Sequence, residues 1–270
     1  MKKNDLIFII AILVTLAVAA PLVLISRAPK DVSDDRAETA DIVDLTPEPV
    51  LAAEVVSIAD IVSEADAAEE KEDMPFFTTS EKPYFDDALF VGDSRTDELR
   101  LYGYLDNADY FCQTGMTVFG VLTEKEDVKG VGKVSLDELL AKKNYGKIYV
   151  MLGLNEIGYN KDKTIEKYSA LLDHLQAAEP DAVIYILANL HVSKIHDAKS
   201  KYDKNVDIIE LNRRMSELAD HSRRRYYLDV NPLFCDGDCL RAELTGDGVH
   251  LYAKHSAEWC DWLRQNTLAE

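Results

Sequence analysis

Apolar residues are distributed in three different ways along the 270-residue chain. From Leu6 to Ile25 they form a run of twenty residues without a charge. At about 1.5 Å per residue this run is long enough to cross a hydrocarbon layer of about 30 Å. Lys2 and Lys3 precede it, which favours a cytoplasmic amino terminus and an exported remainder. The competing reading is a cleaved signal peptide, because Ala17-Val18-Ala19 has the small-residue spacing of a cleavage site. The apolar run continues past that point through Leu22, so the length predicts an uncleaved anchor within residues 1–30. The expected location is the cell membrane, single-pass, with the bulk of the chain extracytoplasmic.

The next regime, residues 31–75, has apolar residues too scattered to bury a core and reads as a disordered acidic linker. From residue 76 onward a third pattern appears, in which short runs of β-branched and aromatic residues alternate with longer stretches of helical period. Ala88–Gly92, Ala108–Cys112, Lys147–Leu152, Ala182–Ala188 and Tyr226–Val230 are five strand candidates. Between and after them, helices are predicted near Arg95–Tyr102, Ser135–Lys143, Lys163–Glu179, Asn205–Arg224 and His255–Asn266. This alternation predicts an α/β domain over 76–270, with a parallel sheet covered on both faces. Ligands in such a domain collect at the carboxyl ends of the strands.

Charge sharpens the division. The formal net charge is −19, and residues 31–73 hold fifteen acids against two bases, whereas residues 1–30 hold four bases and one acid. Most of the excess acid therefore sits in the linker. With no surplus of clustered cations to neutralise phosphates, nucleic acid is excluded as a partner.

The candidate chemistry lies at the predicted strand ends. The first strand runs into Gly92-Asp93-Ser94-Arg95 with a helix following at once, so Ser94 is displayed on a strand-to-helix turn beside a positive helix end. The same residues, Ser94-Arg95-Thr96-Asp97, read equally as a capping box. Asp247-Gly-Val-His250 sets a carboxylate three residues before an imidazole, close enough to fix its tautomer. Gly153-Leu-Asn155-Glu156 offers a side-chain amide that could donate to an oxyanion. Gly115 offers a backbone N–H that no side chain shields.

In this order the four blocks resemble the SGNH (GDSL-type) hydrolase family, through Gly92-Asp93-Ser94, Gly115, Gly153-x-Asn155 and Asp247-x-x-His250. The resemblance implies a three-layer α/β/α sandwich around a five-stranded parallel sheet, flavodoxin-like in class. It also implies Ser94 as nucleophile, His250 as general base and Asp247 as its orienting acid. The oxyanion hole would then be the backbone N–H groups of Ser94 and Gly115 with the side chain of Asn155. Two positions depart from the family pattern. Arg95 replaces the Leu of the motif, and Glu156 stands where Asp often follows the Asn. A cation in the first helical turn opposes the dipole, so Arg95 is expected to pair with Asp97 or to touch substrate.

The activity implied is a serine esterase acting on short acyl, O-acetyl, esters of cell-surface carbohydrate or another small ester. The alternatives are an O-acyltransferase on the same site and a non-catalytic surface binding module. No cofactor or metal is expected: His191, His196 and Asp197 lack zinc-type spacing, and Asp236-Gly-Asp238 lacks the rest of a calcium loop. Cys235 and Cys239 either close a tight disulfide or stand as free thiols, with Cys112 and Cys260 completing the set. The strand-end segments Met116–Val134 and His191–Val206 are rich in charge and are expected to frame an open, wet site.

Overall fold

A computed structural model describes residues 77–199 and 204–268. The apolar run Leu6–Ile25 and the acidic stretch to Asp73 lie outside the described residues. Five parallel strands form one sheet: β1 (Ala88–Gly92), β2 (Asp109–Cys112), β3 (Lys147–Met151), β4 (Val183–Leu187) and β5 (Arg225–Leu228). Their order across the sheet is β2-β1-β3-β4-β5. The chain thus winds outward from β1 in both directions, and the crevice between the carboxyl ends of β1 and β3 is the point where the winding reverses. All five predicted strands are present, each within two residues of its expected bounds.

β1 and β4 are buried along their whole length, because helices cover both faces of the sheet. On one face Phe90, Tyr149 and Tyr185 pack with Leu99 of α1 (Ser94–Tyr102) and with Trp259 and Leu263 of the last helix, Lys254–Gln265. On the other, Leu89, Val91, Ile148, Val150, Ile184 and Ile186 meet the helices Leu136–Leu140, Lys161–Ala178 and Lys204–Ser216. The period of two in each strand sorts these residues to the two faces.

One row crosses the entire sheet. Tyr110, Phe90, Tyr149, Tyr185 and Tyr226 are register partners on the five strands in order. Their ring centroids are 5.0, 4.5, 4.5 and 6.3 Å apart. Parallel strands lie about 4.8 Å apart, so identical register alone brings the rings into stacking distance. The Tyr185 hydroxyl is pinned by Tyr84 Oη at 2.7 Å and by the backbone N–H of Leu268 at 3.1 Å.

Two expectations are corrected, and one question the sequence left open is decided. The helix predicted over Asn205–Arg224 stops at Ser216; Asp220 then caps a short turn, His221–Arg223, which Arg224 ends at φ 57°. Within the segment Met116–Val134, Lys125–Val128 and Gly132–Ser135 pair as an antiparallel hairpin, and Val118, Val121, Val128 and Val134 are buried. Their burial on the sheet's second face turns an expected polar loop into part of the core. Finally, all four cysteines are free thiols. The hairpin register sets Cys235 opposite Leu240 and Cys239 opposite Asp236. Successive strand residues project to opposite faces, so the two thiols leave the hairpin on opposite sides and cannot be bridged in this register.

Tyr149 sits at the centre of the aromatic row and is fully buried. Tyr149→Ala is expected to cost about 3–5 kcal/mol. Urea unfolding would measure it, and a loss under 1 kcal/mol would show that the row is not a principal element of the core.

Candidate active site

β1 ends at Gly92, Asp93 is extended, and α1 begins at Ser94. A Cβ on Gly92 would fall 1.9 Å from Thr96 Oγ1 and 2.7 Å from the carbonyl oxygen of Met151. Only glycine lets the helix start this close to β3. Asp93 is the residue that caps α1, its Oδ1 accepting the N–H of Arg95 at 3.0 Å. The capping role that the sequence offered to Ser94 is therefore filled one residue earlier. Ser94 Oγ instead lies 2.9 Å from His250 Nε2.

On the opposite side of the imidazole, His250 Nδ1 lies 2.7 Å from Asp247 Oδ2. Asp247 Oδ1 accepts the backbone N–H groups of Val249 and His250, both at 2.8 Å. Burial would raise its pKa, but these N–H groups and the His250 ring outweigh burial and hold the carboxyl well below the usual carboxylate range. An ionised carboxylate only accepts, so the ring proton sits on Nδ1 and the lone pair of Nε2 faces the Ser94 hydroxyl. The 247–250 turn is itself fixed from outside: Ser193 N–H donates to Gly248 O at 2.8 Å, and His196 Nδ1 lies 3.1 Å from Asp247 O.

The other two blocks arrive at the ends of β2 and β3. Gly115 is exposed, in the left-handed region at φ 81°, with nothing within 4 Å of where a Cβ would stand. Asn155 is exposed on the turn after β3, its Nδ2 donating to Met116 O at 2.9 Å and to Asp93 Oδ2 at 3.3 Å. Both amide protons are thus engaged, the second only weakly. The next residue, Glu156, is turned inward, and its Oε1 accepts the N–H of Val118 at 2.5 Å. Asn155 and Glu156 together clamp the segment that follows Gly115.

Arg95 does neither of the things expected of it. Asp97 pairs with Arg100 instead, and Arg95 is 1% exposed, which removes it from substrate contact. Its guanidinium donates to Val249 O at 3.2 and 3.0 Å and to Leu190 O, and reaches His191 O at 3.5 Å. These carbonyls belong to the segment after β4 and to the residue preceding His250. Arg95 therefore ties the helix that carries Ser94 to the turn that carries His250.

One further carboxyl escaped the sequence reading. Glu98, one helical turn after Ser94, accepts the N–H of Leu251; burial raises its pKa to about 7 despite the nearby His250 and Arg95. Its i,i+4 relation to Ser94 was the available signal. Glu156 is likewise raised by burial to about 7, against the Val118 N–H and with Asp93 adding like charge. Burial also raises Asp93 itself, offset in part by Arg95. Among the described residues no group of three or more His, Cys, Asp or Glu side chains is placed to hold a metal ion.

A folded-state pKa raised from 4.5 to about 7 means that the fold favours protonated Glu156. Its contribution is full below the unfolded pKa and is lost as pH rises through 7, by up to about 3 kcal/mol. Stability should fall between pH 5 and 8, and Glu156→Gln should flatten part of that slope, leaving the part due to Glu98. Urea unfolding at pH 5, 6.5 and 8 tests this; identical slopes in both proteins would remove the assignment.

The sequence model of the GDSL-like Lipase/Acylhydrolase family matches residues 90–254. Among solved structures, the chain resembles a candidate platelet activating factor protein from Streptococcus pneumonia at 19% identity and a TM-score of 0.50, over 65% of this chain and 85% of that one. It also resembles a candidate acylhydrolase from Bacteroides fragilis at 15% identity and a TM-score of 0.50, over 66% of this chain and 84% of that one. These likenesses show the shared fold. No curated protein matches the chain. With the family match spanning the strand that presents Ser94 through the turn that presents His250, the chain belongs to the GDSL-like lipase/acylhydrolase family and is a hydrolase of the SGNH type.

Proposed function

We propose that this chain is a serine esterase that releases short acyl groups, foremost O-acetyl, from cell-surface carbohydrate through an acyl-serine intermediate. The observation that carries this reading is the continuous contact from Ser94 Oγ to His250 Nε2 at 2.9 Å and from His250 Nδ1 to Asp247 Oδ2 at 2.7 Å. A serine hydroxyl is a weak nucleophile until a base takes its proton. His250 Nε2 takes it as Oγ attacks the ester carbonyl, while Asp247 holds the tautomer and stabilises the imidazolium that forms. The negative charge that develops on the carbonyl oxygen meets the N–H of Ser94 at the positive end of α1 and the N–H of Gly115. Asn155 adds its amide by exchanging the 3.3 Å contact to Asp93 for the oxyanion. The imidazolium then protonates the leaving alcohol, and water repeats the sequence on the acyl-serine.

Two features support a short acyl group on a hydrophilic alcohol. The side chains of His250 and Asp247 are 36% and 55% exposed, whereas a long acyl chain needs a broad apolar cleft. The neighbouring segment brings His196 to Asp247 O at 3.1 Å, with Lys204 Nζ 3.2 Å from His196 Nε2. Ser94→Ala should lower kcat by a factor on the order of 10⁴ with the fold intact. In the wild type, kcat/KM should fall steeply from acetyl through butyryl to octanoyl esters. A phosphonate adduct on another residue would remove Ser94, and a preference for eight or more carbons would redirect the reading to lipid.

We further propose that residues 1–30 anchor the chain in the cell membrane, amino terminus inside, and that residues 31–75 are an acidic linker. Residues 76–270 then form the hydrolase domain outside. Supporting this arrangement, Phe77–Thr78 pairs antiparallel with Thr267–Leu268, and Leu268 lies beside Lys147, Val183 and Arg224. These three stand at the amino ends of β3, β4 and β5, so Phe77–Thr78 lies at the end of the sheet opposite Ser94. Protease added to intact cells should release an active soluble fragment cut within residues 31–73; a protected domain would place it in the cytoplasm.

A further inference from the structure

Two large aromatic side chains stand exposed on the segments that follow Gly115 and Asn155. Phe119 is 40% exposed and Tyr159 is 55% exposed, and their rings meet edge to face at 5.3 Å and 80°. They are not loosely held. Beneath them, the two segments are fastened by Asn155 Nδ2 to Met116 O at 2.9 Å and by Val118 N–H to Glu156 Oε1 at 2.5 Å. Tyr159 N–H donates to Glu156 O at 2.8 Å, and Gly120 N–H to Thr117 O at 3.1 Å. A fixed pair of rings left in water forgoes the burial that such side chains normally gain. Its place is the carboxyl end of the sheet: Asn155 lies 3.3 Å from the Asp93 that flanks Ser94, and Gly115, Asn155, Gly158, Tyr159 and Phe119 are all exposed along one rim.

We infer that Phe119 and Tyr159 form a subsite for a neutral sugar ring that carries the ester, on the alcohol side of the bond to be cleaved. The inference rests on the esterase reading above and specifies its substrate. An acetyl group ends one carbon beyond the reacting carbonyl, so only the alcohol extends past Gly115 and Asn155 to the rings. A pyranose offers an apolar C–H face to an aromatic ring while its hydroxyl edge stays hydrated. The surroundings suit that edge, since Thr117, Thr123, Glu124 and Asn160 flank the pair. Charge selects a neutral ring. Asp247 stays ionised beside the reacting centre, and the guanidinium of Arg95 is turned inward onto carbonyls. An anionic sugar entering beside this carboxylate is repelled.

Kinetics on three esters would test the subsite: a mono-O-acetylated methyl glucoside, the corresponding methyl glucuronide acetate, and ethyl acetate. Phe119→Ala and Tyr159→Ala are each expected to lower the ratio of kcat/KM on the glucoside to that on ethyl acetate by about three- to tenfold, chiefly through KM. Tyr159→Phe should keep the ratio and Tyr159→Leu should lose it, since flatness and not bulk is required. The wild type should favour the glucoside over the glucuronide. An unchanged ratio in all variants, or equal losses on both esters, overturns the subsite while leaving the esterase intact. Cleavage of ethyl acetate by the wild type with neither sugar acetate cleaved overturns the carbohydrate reading and the subsite with it. Loss of all activity in Ser94→Ala on ethyl acetate keeps the nucleophile separate from both.

Discussion

The site depends on one buried charge. Arg95 follows Ser94 directly in the chain, yet its guanidinium passes beneath the site to the carbonyls of Leu190 and Val249. Burying a cation costs several kcal/mol unless its donors are satisfied. Here burial works to lower the pKa of Arg95, and the carboxyls of Asp93, Glu98 and Asp247 work against that. Three parts of the chain far apart in sequence are thereby joined: the start of α1, the segment after β4, and the turn that carries His250. A planar fork with five donors can serve all of these carbonyls at once; a lysine could not.

Around that cation the carboxyls are divided by their hydrogen bonds. Asp247 receives two backbone N–H groups and the imidazole, and stays ionised. Glu98 and Glu156 each receive a single backbone N–H and are more strongly governed by burial, so both are held near neutrality in charge at pH values below about 7. The arrangement keeps full negative charge beside His250 and lessens it around Ser94 and Asn155. Asp93 belongs to neither group. It is wholly buried, caps α1 and touches Asn155, which links the Ser94 turn to the turn after β3.

The position of the site follows from topology. With strand order β2-β1-β3-β4-β5, the chain leaves β1 and β3 toward opposite faces, and the crevice between them receives Ser94 from one and Asn155 from the other. The aromatic row across the sheet fixes the register of all five strands, because a slip of one residue would turn each ring to the opposite face.

The sequence by itself determined the five strands, the helical segments and the four blocks. Each rests on a local pattern: a period of two or 3.6, a glycine beside a helix start, a carboxylate three residues before a histidine. Such patterns are complete within a few residues, and Asp247 and His250 met as their spacing implied, while Ser94 joined them as the family resemblance implied. What only the tertiary structure decided were the partners of polar side chains whose neighbours come from elsewhere in the chain. Arg95 looked like a surface cation beside Asp97 and is a buried strut 154 residues from Val249. Glu156 looked like a family variation and is the clamp on Val118. Asp93, and not Ser94, caps the helix. Burial is a property of packed elements and not of residue type, so the sign and strength of these charges became readable only once the sheet and its helices were in place.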